Sequence, residues 1–117
     1  MALRLVIVDN DEAVLELLQL DMRLEGHDIL ATALNGDDGL AACEEHAPDT
    51  LIVDLRLGPG INGLEVARRV RREGLRVVLY TNYVTPSVVN EAEAAGATVV
   101  EKGNLYALRQ AVVGAAT

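Results

Sequence analysis

The sequence predicts an α/β fold: a single doubly wound sheet of five parallel strands with helices on both faces. Three observations carry this. Short aliphatic runs alternate five times with helix-like segments along the 117 residues, the pattern of repeated β-α units. The runs are almost unbroken in apolar residues, as in strands covered on both faces, rather than alternating as in a sheet with one wet face. Half the chain is hydrophobic and only 3% is aromatic, with no Phe or Trp, so the core must be built from aliphatic side chains.

Taken in order, Leu3 to Asp9 reads as the first strand. Asp11 to Glu25 reads as a helix with Val14, Leu17, Leu18 and Leu24 as its apolar stripe, closed by Gly26. Asp28 to Leu34 is the second strand, and Gly36 to Ala47 the second helix, stopped by Pro48. Asp49 to Asp54 is the third strand. A glycine-rich loop, Gly58-Pro59-Gly60-Ile61-Asn62-Gly63, leads into a third helix over Leu64 to Glu73. Leu75 to Thr81 is the fourth strand. Pro86 to Ala95 is the fourth helix, opened by Thr85 with Pro86 at its first position. Ala97 to Glu101 is the fifth strand and Leu105 to Val113 the fifth helix. Right-handed crossovers place the switch point beside the first strand, giving the flavodoxin-like order 2-1-3-4-5. The length suits one domain spanning residues 1–117.

A net charge of -8 argues against a general DNA-binding surface, which needs a basic footprint, and against docking on anionic membranes. Arg68, Arg69, Arg71 and Arg72 read as a solvated helix face. Cys43 is the only cysteine, so an internal disulfide is impossible, and its apolar neighbours suggest a buried thiol. No apolar run reaches the roughly 18–20 residues of a membrane span, and no secretory signal is apparent. A reducing cytoplasm is the expected location.

Four strands run into polar residues: Val8 into Asp9-Asn10-Asp11, Val53 into Asp54, Tyr80 into Thr81, and Glu101 into Lys102. In a parallel sheet all four emerge at the carboxyl edge, where open α/β sheets bind ligands. Two carboxylates, a hydroxyl and an amine together suit Mg²⁺ and a phosphoryl group. Taken singly they are ordinary: a strand-end aspartate is often a helix cap, and Asp11 is the best example here.

In combination these four positions resemble the receiver domain of bacterial response regulators (CheY-like proteins) over essentially the whole chain. The resemblance implies two-component phosphorelay signalling. A sensor histidine kinase or phosphotransfer protein would pass a phosphoryl group to Asp54, and output would run through contact with a downstream protein. Catalysis would be confined to the chain's own phosphorylation and dephosphorylation. Asp9, Asn10, Asp54 and the backbone carbonyl of Arg56 would hold Mg²⁺, while Thr81 and Lys102 would contact phosphoryl oxygens. The family's output surface would here include Val88, Val89, Glu93, Val99, Tyr106 and Arg109. The Tyr106–Arg109 neighbourhood is a candidate homodimer contact. No direct nucleic-acid or membrane partner is implied.

The chain departs from the family in several places. The second acidic position is Asn10. One lost unit charge ~4 Å from a divalent ion costs about 2 kcal/mol in water-like dielectric, or roughly thirtyfold in affinity, so weak Mg²⁺ binding is expected. Gly63 lies nine residues after Asp54 instead of eight, a one-residue loop insertion. Asn82 stands where a small residue is usual, and Val99 where an aromatic switch is common, with Tyr80 or Tyr83 as candidate substitutes. Gly103 replaces the usual proline. Arg56 and Tyr83 hold positions that tune hydrolysis of the acyl phosphate in the family, and a long-lived phosphoryl state is expected. Two alternatives stay open. One is a degenerate receiver that binds partners without phosphorylation. The other is a phosphatase of the haloacid dehalogenase type, with Asp9 as nucleophile and Asp11 as acid.

Overall fold

A computed structural model describes residues 2–114. The strands are β1 (Arg4–Val8), β2 (Asp28–Ala33), β3 (Thr50–Val53), β4 (Arg76–Thr81) and β5 (Ala97–Glu101), and the helices are α1 (Glu12–Leu24), α2 (Gly36–His46), α3 (Gly63–Val70), α4 (Pro86–Ala94) and α5 (Leu105–Val113). All neighbouring strands are parallel, in the order 2-1-3-4-5. The unbroken runs have the expected cause: β1 from Leu5 to Val8 and all of β3 are buried. One core cluster joins the sheet to α2, α3 and α4 through Cys43, Leu64, Val66, Val70 and Ala92. The other joins it to α1 and α5 through Leu15, Leu18, Met22, Leu108 and Val112.

Each helix begins on a polar cap that accepts a backbone N–H: Asp11, Asn35, Asn62, Thr85 and Asn104. Such a bond satisfies one of the otherwise orphaned first-turn donors. Asp11 is thereby committed to Ala13 N at 2.9 Å. The third helix is shorter than its sequence pattern suggests. It ends at Val70 because Arg71 turns to ψ 117, its guanidinium donating to the Ala94 carbonyl. Arg72 donates to the Pro48 carbonyl, while Arg68 and Arg69 pair with Glu65. The arginine cluster thus serves local ion pairs and carbonyls.

The apolar stripe of α1 differs from the expectation. Its buried residues are Leu15, Leu18, Asp21 and Met22, while Leu17 is 49%, Leu20 58% and Leu24 76% exposed. Asp21 joins the inward face because Arg109 of α5 grips it with two hydrogen bonds, one from Nε at 3.1 Å. This fork is charge-assisted and geometrically specific. Arg109 therefore faces α1 through this pair, while its side chain stays 36% exposed.

Cys43 is fully buried, and burial pushes its thiol up to about 11. It stays protonated at neutral pH and is inert. Among the described residues, no helix is long and apolar enough to cross a membrane.

Candidate functional site

The register brings the strand ends level. Val8 of β1 pairs with Val53 of β3, Val53 with Leu79 of β4, and Thr81 with Glu101 of β5. The residues that follow open onto one edge. Backbone bonds hold them there: Asp54 N–H donates to the Val8 carbonyl at 3.0 Å, Asp9 N–H to Ala33 at 3.1 Å, and Lys102 N–H to Thr81 at 3.0 Å.

Three of the expected side chains meet directly. The Lys102 ammonium lies 2.9 Å from Asp9 Oδ2 and 2.8 Å from Asp54 Oδ2. Both carboxylates are buried. Each uses its other oxygen on backbone: Asp54 Oδ1 accepts from Leu55 N at 2.7 Å, and Asp9 Oδ1 from Asp11 N at 2.9 Å. Burial drives the Asp9 carboxyl above its ordinary value, helped by the Asp54 charge and opposed by Lys102 and the Asp11 amide. Burial alone would lower Lys102, but its hydrogen bonds to Asp54 and Asp9, with their charges, raise it overall.

The other expected residues are placed as follows. Thr81 is fully buried at the end of β4, and its Oγ1 accepts from Tyr83 N at 3.1 Å. Asn10 is exposed beside Asp9. Arg56, two residues beyond Asp54, lays its guanidinium 3.8 Å from the centre of the Tyr83 ring, a cation–π contact. It joins the loop after β3 to the loop after β4.

Two residues mattered more than their sequence context showed. Gly63 packs against the backbone at Asp54 so closely that no Cβ fits, and its N–H donates to the Leu55 carbonyl at 2.8 Å. Tyr80 is buried among α1 and α5 residues, on the face of the sheet opposite Val99, which packs with the α2–α3–α4 side. Tyr80 therefore does not substitute for an aromatic at position 99. The signal was present: a tyrosine inside an aliphatic buried strand needs a partner for its hydroxyl. A recess between β5 and α5, lined by Val99, Val100, Tyr106 and Gln110 among others, includes none of the residues expected to hold metal or phosphoryl group, though Val99 and Tyr106 belong to the expected output surface.

Lys102 is the chain's only lysine, so its electrostatic role is open to a clean test. Its folded-state value is raised above 10.5. The stability it contributes is fully present below that ordinary value and is lost as pH rises through the raised one. Lys102→Met is expected to lack this alkaline limb in urea unfolding. It should also lose about 3 kcal/mol at pH 7 without divalent ions, because two buried carboxylates lose their counter-ion. An unchanged alkaline profile would show that the ammonium is not held as described.

Residues 5–112 match the family of the response regulator receiver domain. The transcriptional regulatory protein AfsQ1 of Streptomyces coelicolor is 41% identical over 78 residues, covering 66% of this chain and 34% of that protein. The match thus spans about a third of the curated relative's length. Among solved structures, a LuxR-family two-component response regulator from Aurantimonas sp. SI85-9A1 superposes with TM-score 0.85 at 26% identity, covering 97% of this chain and 87% of that one. The signal receiver domain of the putative response regulator NarL from Mycobacterium tuberculosis gives 0.86 at 26%, covering 97% and 98%. The CheX-CheY-BeF3-Mg+2 complex from Borrelia burgdorferi shares the fold at TM-score 0.88 and 20% identity, covering 95% and 87%. Fold, strand order and the family match over nearly the full length agree, and this chain belongs to the receiver domains of two-component response regulators.

Proposed function

We propose that residues 1–117 act as one phosphoacceptor domain in which Asp54 takes a phosphoryl group from a phosphohistidine on a sensor kinase or phosphotransfer protein in the cytoplasm, and that output passes by contact to a downstream protein. The observation that carries this reading is the single ammonium held by two buried carboxylates at the carboxyl edge of the sheet. An Asp54 oxygen would form the O–P bond as the donor's P–N bond breaks, with the electron pair leaving on the imidazole nitrogen. Lys102 would move from carboxylate to phosphoryl oxygen, and the Thr81 hydroxyl would donate to another. The test is incubation with acetyl phosphate or beryllofluoride and Mg²⁺, repeated with Asp54→Asn and Asp9→Asn. Monoester turnover dependent on Asp9 would favour the phosphatase, and no modification under any condition the degenerate receiver.

The donors fit Mg²⁺. A cationic group already sits between Asp9 and Asp54, and the oxygens of Asn10 and the Arg56 carbonyl would complete a hard donor set. The ion would neutralise phosphoryl charge. Asn10→Asp is expected to raise Mg²⁺ affinity roughly thirtyfold. Submicromolar Mg²⁺ affinity in the wild-type protein would contradict this account.

The Arg56–Tyr83 contact supports a slow-hydrolysing phosphoryl state. It joins the loop that follows Asp54 to the loop after β4 and would restrict water approaching the acyl phosphate. Arg56→Ala and Tyr83→Ala are each expected to speed loss of the label up to about tenfold, the kinetic equivalent of one cation–π contact. Loss of the wild-type label within seconds would end this part of the proposal.

A further inference from the structure

The Lys102 side chain is long and flexible, yet its nitrogen sits within hydrogen-bond distance of two carboxylates at once. Something must fix the backbone from which it springs. Two consecutive β4 residues do so. The Thr81 carbonyl accepts the Lys102 N–H at 3.0 Å, and the Tyr80 hydroxyl accepts the Gly103 N–H at 2.9 Å. Gly103 adopts φ 97, in the region that favours glycine, so the chain turns sharply just past the lysine. The Tyr80 ring is itself locked in the core among α1 and α5 residues. Its hydroxyl is therefore a fixed peg, tied to the sheet rather than to the loop. A proline at position 103 would offer no N–H to this peg.

We propose that Tyr80 is a positioning residue for Lys102: its hydroxyl anchors the β5–α5 turn and so sets the ammonium against Asp54 and Asp9. Displacement of the turn by a fraction of an ångström would break the simultaneous contact, and reacting groups tolerate little such misplacement. The kinetic part of the test rests on the phosphoacceptor reading above; the spectroscopic part does not.

The test compares wild-type protein, Tyr80→Phe, Lys102→Met and the double variant. Tyr80→Phe keeps the buried ring and removes only the hydroxyl. Because the chain has one lysine, a ¹H–¹⁵N spectrum optimised for ammonium groups reports Lys102 without assignment. The signal is expected at neutral pH in the wild-type protein and should be lost or strongly weakened in Tyr80→Phe. Labelling by acetyl phosphate should slow about five- to tenfold in Tyr80→Phe, the kinetic equivalent of one hydrogen bond. In the Lys102→Met background the same change should alter the rate less than about twofold. An ammonium signal equally strong in Tyr80→Phe overturns the proposal. So does its absence from the wild-type protein, where there would be no held ammonium to position. An equal rate loss with and without the lysine also overturns it, because the hydroxyl would then be acting on the fold at large. Should the wild-type protein take no label at all, the phosphoacceptor reading fails, and the ammonium signal alone decides the role of Tyr80.

Discussion

Gly63→Ala is expected to destabilise the protein by about 3 kcal/mol and to displace the loop that follows Asp54. A Cβ at position 63 would lie well inside van der Waals contact of the Asp54 carbonyl oxygen, 2.8 Å from its carbonyl carbon and 3.1 Å from Leu55 Cα. These are backbone atoms at the end of a central strand, so no flexible side chain can give way. Relief requires α3 to move off the sheet or β3 to shift, and either would break the Gly63–Leu55 hydrogen bond. Overpacking of a tight core contact costs about 1–3 kcal/mol, and the rigid partner places this case at the top of that range. Urea unfolding measures it directly. A loss smaller than about 0.5 kcal/mol, the scale of a neutral surface change, would show that the approach of α3 to Asp54 is looser than described.

Asp54→Asn is expected to abolish phosphoryl incorporation while leaving the fold intact. Asparagine is nearly isosteric, and its single carbonyl oxygen can still accept from either Leu55 N–H or Lys102, the two donors that Asp54 now satisfies. The amide is not an anionic nucleophile and cannot form an acyl phosphate. Removing the Asp54 charge also relieves Asp9, whose carboxyl that charge helps to raise. The raised value makes ionised Asp9 a cost that grows as pH rises from 3.8 through that value, and the cost should shrink in the variant. Label retained at wild-type level in Asp54→Asn would move the acceptor elsewhere.

The fold was legible because two kinds of signal agreed. Strands covered on both faces must be continuous apolar runs, and Leu5–Val8 and Leu51–Val53 could be little else. Gly26, Pro48 and Thr85-Pro86 supplied the punctuation. Convergence of Asp9, Asp54 and Lys102 followed from topology alone, since parallel strands deliver their last residues to one edge.

What the sequence hid depends on direction rather than composition. Helix α1 carries so many leucines that periodicity could not say which face is buried. Packing of Leu15, Leu18 and Met22 against the sheet and α5 sets it, with the Asp21–Arg109 fork beside them, and an ion pair 88 residues apart in the chain leaves no local trace. The Tyr80–Gly103 bond is likewise long-range, and so is the Arg56–Tyr83 contact. Local patterns record which element a residue occupies, while these pairs are set by how elements pack.

The most direct test of the central claim is chemical mapping of the acceptor. The protein is treated with acetyl phosphate and Mg²⁺, then with borohydride, which reduces an acyl phosphate on aspartate to homoserine, and the peptides are sequenced. The account predicts homoserine at position 54 and nowhere else. Homoserine at position 9 or 11, or unaltered aspartate throughout, would contradict it.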